Sequence, residues 1–92
     1  MRNLNHLSLY YSSTCPYCRM VLKQLERLGL EIELRNIHQK QAYKKELING
    51  GGRKTVPCLR IQLDMLNTAP EWMYESLDII EYLKKHYDAG QN

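Results

Sequence analysis

Cys15 and Cys18 flank Pro16 and Tyr17, and on a helix that spacing brings one sulfur back beneath the other after a single turn. Two thiols so placed are suited to disulfide exchange, in which a thiolate is the nucleophile. An apolar run, Leu7 to Tyr11, precedes them and a helical pattern starts near Pro16. Cys15 is therefore expected at a helix N-terminus, where unpaired N–H groups and the helix dipole stabilise negative charge. This makes Cys15 the expected attacking sulfur and Cys18 the resolving one. Pro16 suits the first helical position because its missing N–H costs nothing there, and Tyr17 is expected to face outward and wall a substrate groove. Zinc is the competing reading, with Cys58 and one of His6, His38 or His86 completing the ligands. No second cysteine pair at ligand spacing supports it, and no metal is expected.

The flanking pattern predicts the elements that hold the pair. Leu7, Leu9 and Tyr11 alternate with Ser8 and Tyr10, which predicts a core strand followed by a turn at Ser12-Ser13-Thr14. Val21, Leu22, Leu25 and Leu28 have the spacing of one buried helix face, with Gly29 as its stop. Ile32, Leu34 and Ile37 predict a second strand, joined to the first by a right-handed parallel crossover. A polar helix over Gln39 to Ile48 follows, with Ala42, Tyr43, Leu47 and Ile48 as its buried face and Asn49-Gly50-Gly51-Gly52 as its end. The glycines do not read as a phosphate loop, since no strand leads into them and no Lys-Ser or Lys-Thr follows at the required place. Cys58 to Leu63 predicts a third strand introduced by Thr55-Val56-Pro57, since proline is tolerated where a strand begins. A hairpin loop from Leu63 to Pro70 leads to a short fourth strand, Trp72 to Tyr74. Ser76 then caps a last helix with Leu77, Ile80, Leu83 and Tyr87 inward and Asp78 in its first turn, and a frayed tail runs from Asp88 to Asn92. The order is β-α-β-α-β-β-α, an α/β fold in one domain spanning 1–92.

Composition narrows the setting. At 43% hydrophobic and 25% charged, the chain is ordinary globular material, neither disordered nor fibrous. Three cysteines are too few for a secreted disulfide framework and fit functional thiols in a reducing compartment. Met1 to Tyr11 carries polar residues among its leucines, with no continuous apolar segment for export or membrane spanning, so a cytoplasmic location is expected. The net charge of +3 is mild and scattered, which argues against a nucleic-acid partner.

With these pieces placed, the chain resembles the glutaredoxins. Cys15-Pro16-Tyr17-Cys18 matches the dithiol active site of that family residue for residue, and Thr55-Val56-Pro57 matches its threonine-valine-proline segment. The likeness runs from Leu7 to about Tyr87, and it implies a thioredoxin-like fold with a four-stranded mixed sheet flanked by helices. It also implies a cis bond before Pro57, with the main chain of Val56 offered to the cysteinyl part of glutathione. Two departures stand out. Ser12 occupies the position where many small glutaredoxins have lysine. Glu75-Ser76 replaces their glycine-rich segment and is similar to the glutamate-serine pair of glutathione-transferase N-terminal domains. That pair holds the γ-glutamyl end of glutathione, the glutamate facing its ammonium and the serine its carboxylate; the competing reading is a plain helix cap beside an exposed strand residue.

The resemblance implies a glutathione-dependent thiol–disulfide oxidoreductase with no bound cofactor and glutathione as cosubstrate. It acts on glutathionylated or disulfide-containing proteins, and nothing demands more than a monomer. Thr14, Tyr17, Thr55, Val56, Pro57, Glu75 and Ser76 are expected to form the glutathione groove. Arg53, Lys54, Lys23 and Gln39 are candidates for its glycine carboxylate, Arg53 foremost. Cys58 reads either as a packed thiol or as a third redox thiol able to trap Cys15. The alternatives are a thioredoxin-like protein disulfide reductase, opposed by Thr14 where thioredoxins carry tryptophan, and a non-enzymatic iron–sulfur, metal or glutathione-binding module.

Overall fold

A computed structural model describes residues 2–62 and 69–87. In chain order the elements are β1 (Arg2–Tyr11), α1 (Pro16–Leu28), β2 (Leu30–Asn36), α2 (Gln41–Glu46), a π-helical turn (Leu47–Gly51), β3 (Cys58–Ile61), β4 (Glu71–Met73) and α3 (Ser76–Tyr87). The strands form one mixed sheet in the order β2-β1-β3-β4. β1 and β2 run parallel, as the α1 crossover requires, while β3 is antiparallel to both β1 and β4.

Helices cover both faces of the sheet, so four successive residues of β1, Leu7 to Tyr10, are buried regardless of their alternation. On one face Leu7, Leu9, Leu59 and Ile61 pack with Val21 and Leu25 of α1 and Ile79 and Leu83 of α3. On the other, Tyr10, Ile37, Leu47 and Cys58 form a smaller cluster, closed by Tyr43, Val56, Trp72 and Tyr74. Cys58 is fully buried there, as Cys18 is in α1. This second face is finished by polar groups. The Tyr10 hydroxyl donates to Glu46 Oε1 at 2.8 Å, and Arg35 bonds Tyr10, Glu46 and Glu33 at 2.6 to 2.9 Å. Burial works against the Arg35 charge, but the bonds to Glu33 and Tyr10 outweigh it and leave the guanidinium more firmly protonated than usual.

Local chemistry explains the boundaries. Gly29 ends α1 in the left-handed conformation, φ 66°, which only glycine adopts without steric cost, and its N–H returns to Glu26 and Leu25. Gly50 and Gly51 lie inside the π-helical turn, pressed against aromatic side chains: a Cβ on Gly50 would strike the Trp72 ring, and one on Gly51 the Tyr74 hydroxyl. Close approach of backbone to Trp72 and Tyr74 is therefore what the glycines permit.

Several expectations need correction. The helix expected over Gln39 to Ile48 is shorter and runs on as the π-helical turn, which leaves Ala42 and Ile48 exposed and only Leu47 fully buried. Leu34 is exposed because β2 is an edge strand, covered on one flank only. Leu77 is also exposed: at 100° per residue it lies about 120° round the helix from Leu83, whereas Ile79 and Ile80 bracket the buried line. Ser76 is the first residue of α3 rather than its cap. The Glu75 carbonyl accepts the first intrahelical bond, from Ile79 N–H at 2.9 Å. Tyr74 falls just outside β4. The expected hairpin loop from Leu63 and the tail from Asp88 lie outside the described residues, apart from the loop's end at Ala69 and Pro70.

Candidate active site

β1 ends at Tyr11 and α1 begins at Pro16, so the intervening turn delivers both thiols to one end of the sheet. Cys15 is the N-cap of α1, in extended conformation, and its sulfur accepts the Cys18 N–H at 3.4 Å. A cap of this kind places the sulfur among the unpaired N–H groups of the first turn. Cys15 N–H donates to the Ser12 carbonyl at 3.2 Å, tying the turn closed.

Ser12 explains what its position does in place of lysine. It is buried, its hydroxyl shares a hydrogen bond with that of Thr14 at 3.0 Å, and its main-chain N–H donates to Cys18 Sγ at 3.4 Å. Cys18 is fully buried beneath Cys15. Burial is the chief reason its thiol is pushed up to about 12; the Ser12 N–H pulls the other way and Cys15 adds to the rise. The outer sulfur is thus placed to attack, and the inner one is held as a thiol.

Opposite the turn, the Val56–Pro57 peptide is cis, and the Val56 carbonyl lies 3.9 Å from Cys15 Sγ. Beside it opens a cavity of about 590 Å³ lined by Tyr17, Met20, Thr55, Val56, Pro57, Tyr74, Glu75, Ser76, Leu77 and Asp78. Six of the residues singled out from the sequence, Tyr17, Thr55, Val56, Pro57, Glu75 and Ser76, therefore share one wall system next to the thiols. Thr14 and Arg53 do not line it: Thr14 is spent on the Ser12 turn, and Arg53 lies over Tyr74. Lys23 lies on a separate hollow along α1.

Tyr74 lines this cavity without being among the groove residues that the sequence singles out. Its hydroxyl accepts the Arg53 N–H at 3.3 Å and donates to the Arg53 carbonyl at 3.1 Å, while the Arg53 guanidinium sits 4.3 Å from the ring centroid. One phenol thereby clamps the chain that leads into Thr55-Val56-Pro57. Tyr74 also meets the Cys58 sulfur, whose thiol burial pushes up to about 12, with Tyr74 moderating the rise. Its place directly before Glu75-Ser76 is the signal the sequence offers, although the short fourth strand expected over Trp72 to Tyr74 accounts for it equally well. Leu77 and Asp78 line the cavity too, although the sequence marks them only as a helix-face residue and a partner of the helix dipole, and Met20 lines it with no sequence signal to single it out.

The glutaredoxin family model matches residues 7–64, more than half of the chain. The chain belongs to the glutaredoxin family. Membership gives it a thiol–disulfide redox or glutathione-related role, on the thioredoxin-like fold described above. Among solved structures, glutathione transferase Omega 2S from Trametes versicolor superposes with a TM-score of 0.71 at 21% identity, over 89% of this chain and 36% of that one. A thioredoxin-like protein in point-mutant form gives 0.70 at 19% identity, over 87% and 91%. A trimeric glutathione transferase from Leishmania gives 0.67 at 26% identity, over 86% and 17%. The chain thus spans about a third or less of the length of these transferases. Among curated protein sequences nothing matches it. No described helix is long and apolar enough to cross a membrane.

Proposed function

We propose that the chain is a glutathione-dependent thiol–disulfide oxidoreductase that reduces glutathione mixed disulfides and protein disulfides. The observation that carries this reading is the position of Cys15 Sγ. It caps α1 and faces the Val56 carbonyl, beside a cavity that also holds Glu75 and the first residue of α3. The glutathione transferases among the structural neighbours lend it support.

In this reading the main chain of Val56 pairs with the cysteinyl part of glutathione and brings its sulfur to Cys15. Ser76, at the first position of α3, has an N–H with no intrahelical partner, and this N–H and the hydroxyl receive the γ-glutamyl carboxylate. The Glu75 carboxylate faces the ammonium. Thr55, Pro57, Tyr17 and Tyr74 wall the peptide. Arg53, stacked on Tyr74, is the candidate for the glycine carboxylate.

The Cys15 thiolate attacks the glutathione sulfur of the mixed disulfide. A bond from Cys15 to glutathione forms, the substrate's disulfide bond breaks, and the substrate leaves as a thiolate that takes a proton from solvent. A second glutathione thiolate attacks the bound glutathione sulfur, releasing glutathione disulfide and restoring the Cys15 thiolate. With a protein disulfide, the Cys15 thiolate attacks one sulfur, the protein's disulfide bond breaks, and the other sulfur leaves as a thiolate that takes a proton from solvent. Cys18 then gives its proton to solvent and closes onto Cys15, expelling the second protein thiolate. Two glutathione molecules reduce the resulting bond.

The test is turnover of a glutathionylated peptide with glutathione, glutathione reductase and reduced nicotinamide cofactor. Cys18→Ser is expected to sustain turnover and Cys15→Ser to abolish it. A folded wild-type protein that ignores glutathione yet reduces protein disulfides when fed by a thioredoxin reductase would replace this reading with the thioredoxin-like one.

A further inference from the structure

Helix α1 carries more than the thiols. Arg19, Lys23 and Arg27 recur every four residues and are all exposed, forming one basic stripe down the helix from the active turn. None of the three makes an ion pair among the described residues; the ion pairs found there belong to Arg35. Beside the stripe, three large apolar side chains face solvent: Tyr17 at 61% exposure, Met20 at 42% and Leu77 at 69%. A soluble domain gains nothing by leaving such side chains clustered at one spot, so their exposure marks a contact surface.

The two features meet at Met20. It lines the large cavity next to Cys15 and also a second hollow of about 210 Å³ between α1 and α3, formed with Lys23, Gln24, Arg27 and Ile80. The charges divide along this track. Glu75 and Asp78 lie in the first cavity, whereas every charged residue lining the second hollow is basic. A ligand leaving the thiol along α1 meets an apolar step and then unpaired cations.

We infer that this track docks the cysteine-bearing segment of a protein partner, with an apolar residue beside the cysteine and acidic residues further along. The inference rests on the oxidoreductase reading and names its macromolecular substrate by chemistry. Helical rise sets the spacing. From Cys15 the stripe reaches Lys23 after about 12 Å and Arg27 after about 18 Å, at 1.5 Å per residue. An extended peptide advances about 3.3 Å per residue, so its acidic residues fall about four to six positions from its cysteine. Glutathione, three residues long, falls short of Lys23 and Arg27, which line the other hollow, so reaction with glutathione itself is independent of these two.

The test uses three glutathionylated peptides of one length: neutral, with two aspartates four and six positions from the cysteine, and with two lysines there, each made with the charges on either flank. The aspartate peptide on one flank is expected to show a KM roughly tenfold below that of the neutral peptide at low salt, an advantage that fades at high salt. Lys23→Glu/Arg27→Glu is expected to transfer the preference to the lysine peptide while turnover of the neutral peptide stays unchanged. Equilibrium binding of unreactive serine versions of the peptides, read by fluorescence anisotropy, should rank them in the same order. Equal KM values for all three peptides, or a preference that survives the double reversal, would overturn the inference while leaving the oxidoreductase reading intact. Failure to turn over even the neutral peptide would instead strike that reading, and the binding order would then decide the docking track alone.

Discussion

Tyr74→Phe removes one oxygen atom, and the structure says what that atom does. The hydroxyl makes two hydrogen bonds to the main chain of Arg53, at 3.3 and 3.1 Å, while the ring supports the Arg53 guanidinium. Phenylalanine keeps the ring and the cation–π contact and deletes the clamp alone. Each hydrogen bond contributes about 0.5–1.5 kcal/mol net, and these two lie where water can replace the partner, so the loss should be near the lower end, about 1 kcal/mol in all. For a domain of this size that lowers the melting temperature by roughly 4–8 °C. The clamp's further consequence is functional, because Arg53 leads through Lys54 into Thr55-Val56-Pro57. If the clamp orders that segment for substrate, its loss should raise the KM for glutathionylated peptide up to about fivefold, the equivalent of about 1 kcal/mol, with kcat little changed. Thermal unfolding and steady-state kinetics on the same preparation check both parts. Arg53→Ala serves as the stability control, since it removes the guanidinium but keeps the main-chain bonds, and its own KM reports the proposed glycine-carboxylate contact separately. A lower melting temperature with an unchanged KM would refute the argument that Tyr74 positions Val56, and no change in either would refute the clamp itself.

Other consequences can be measured independently. Gly50→Ala and Gly51→Ala should each cost about 1–3 kcal/mol in urea denaturation, since the added methyl meets Trp72 or Tyr74, with ring carbons at 2.9 Å even beyond the first collision. Normal stability in both would show that the turn can shift without penalty. Ser12→Ala should lose about 1 kcal/mol, measured the same way, by freeing Thr14 from its 3.0 Å hydroxyl contact, while the Ser12 main-chain bond to Cys18 remains. Raising the pH should weaken the fold. Burial, the leading cause for each, pushes Cys18, Cys58, Tyr10 and Tyr82 up to about 12 from ordinary values of 9 to 10. Above about pH 9 the unfolded chain loses these protons while the folded chain keeps them, so the folded state binds more protons and stability falls steadily toward pH 12. A urea midpoint unchanged between about pH 8 and 11 would contradict that sign.

The legible part of this chain is the part whose chemistry is local. The Cys15-Pro16-Tyr17-Cys18 turn, the helix that Gly29 stops and the strand before it could all be read because spacing and a few residue types decide them. What escaped depends on partners far away in sequence. Leu34 looks like a core residue until β2 proves to be an edge strand, and Tyr74 looks like a strand residue until Arg53 is found 21 positions away beneath its hydroxyl. The glycine run is compatible, on sequence, with either a close approach of backbone or freedom to move, and only the distant Trp72 and Tyr74, which leave no room for a side chain at Gly50 and Gly51, decide for the first.

The same distinction separates two layers of the site. The thiol pair is placed within seven residues, from Ser12 to Cys18, through main-chain bonds that survive many side-chain changes. The cavity that would choose the thiol substrate is assembled from the start of α1, the approach to β3 and the β4–α3 junction, with Tyr74 bridging the last two. Substitutions in the turn should therefore act on reactivity with every disulfide alike. Substitutions at Tyr74, Glu75 or Leu77 should change which disulfides are chosen. A panel of glutathionylated and plain protein disulfides separates the two layers: proportional losses across the panel belong to the turn, and a reordering of substrates belongs to the cavity. A reordering caused by Ser12→Ala, or a uniform loss caused by Leu77→Ala, would break the division.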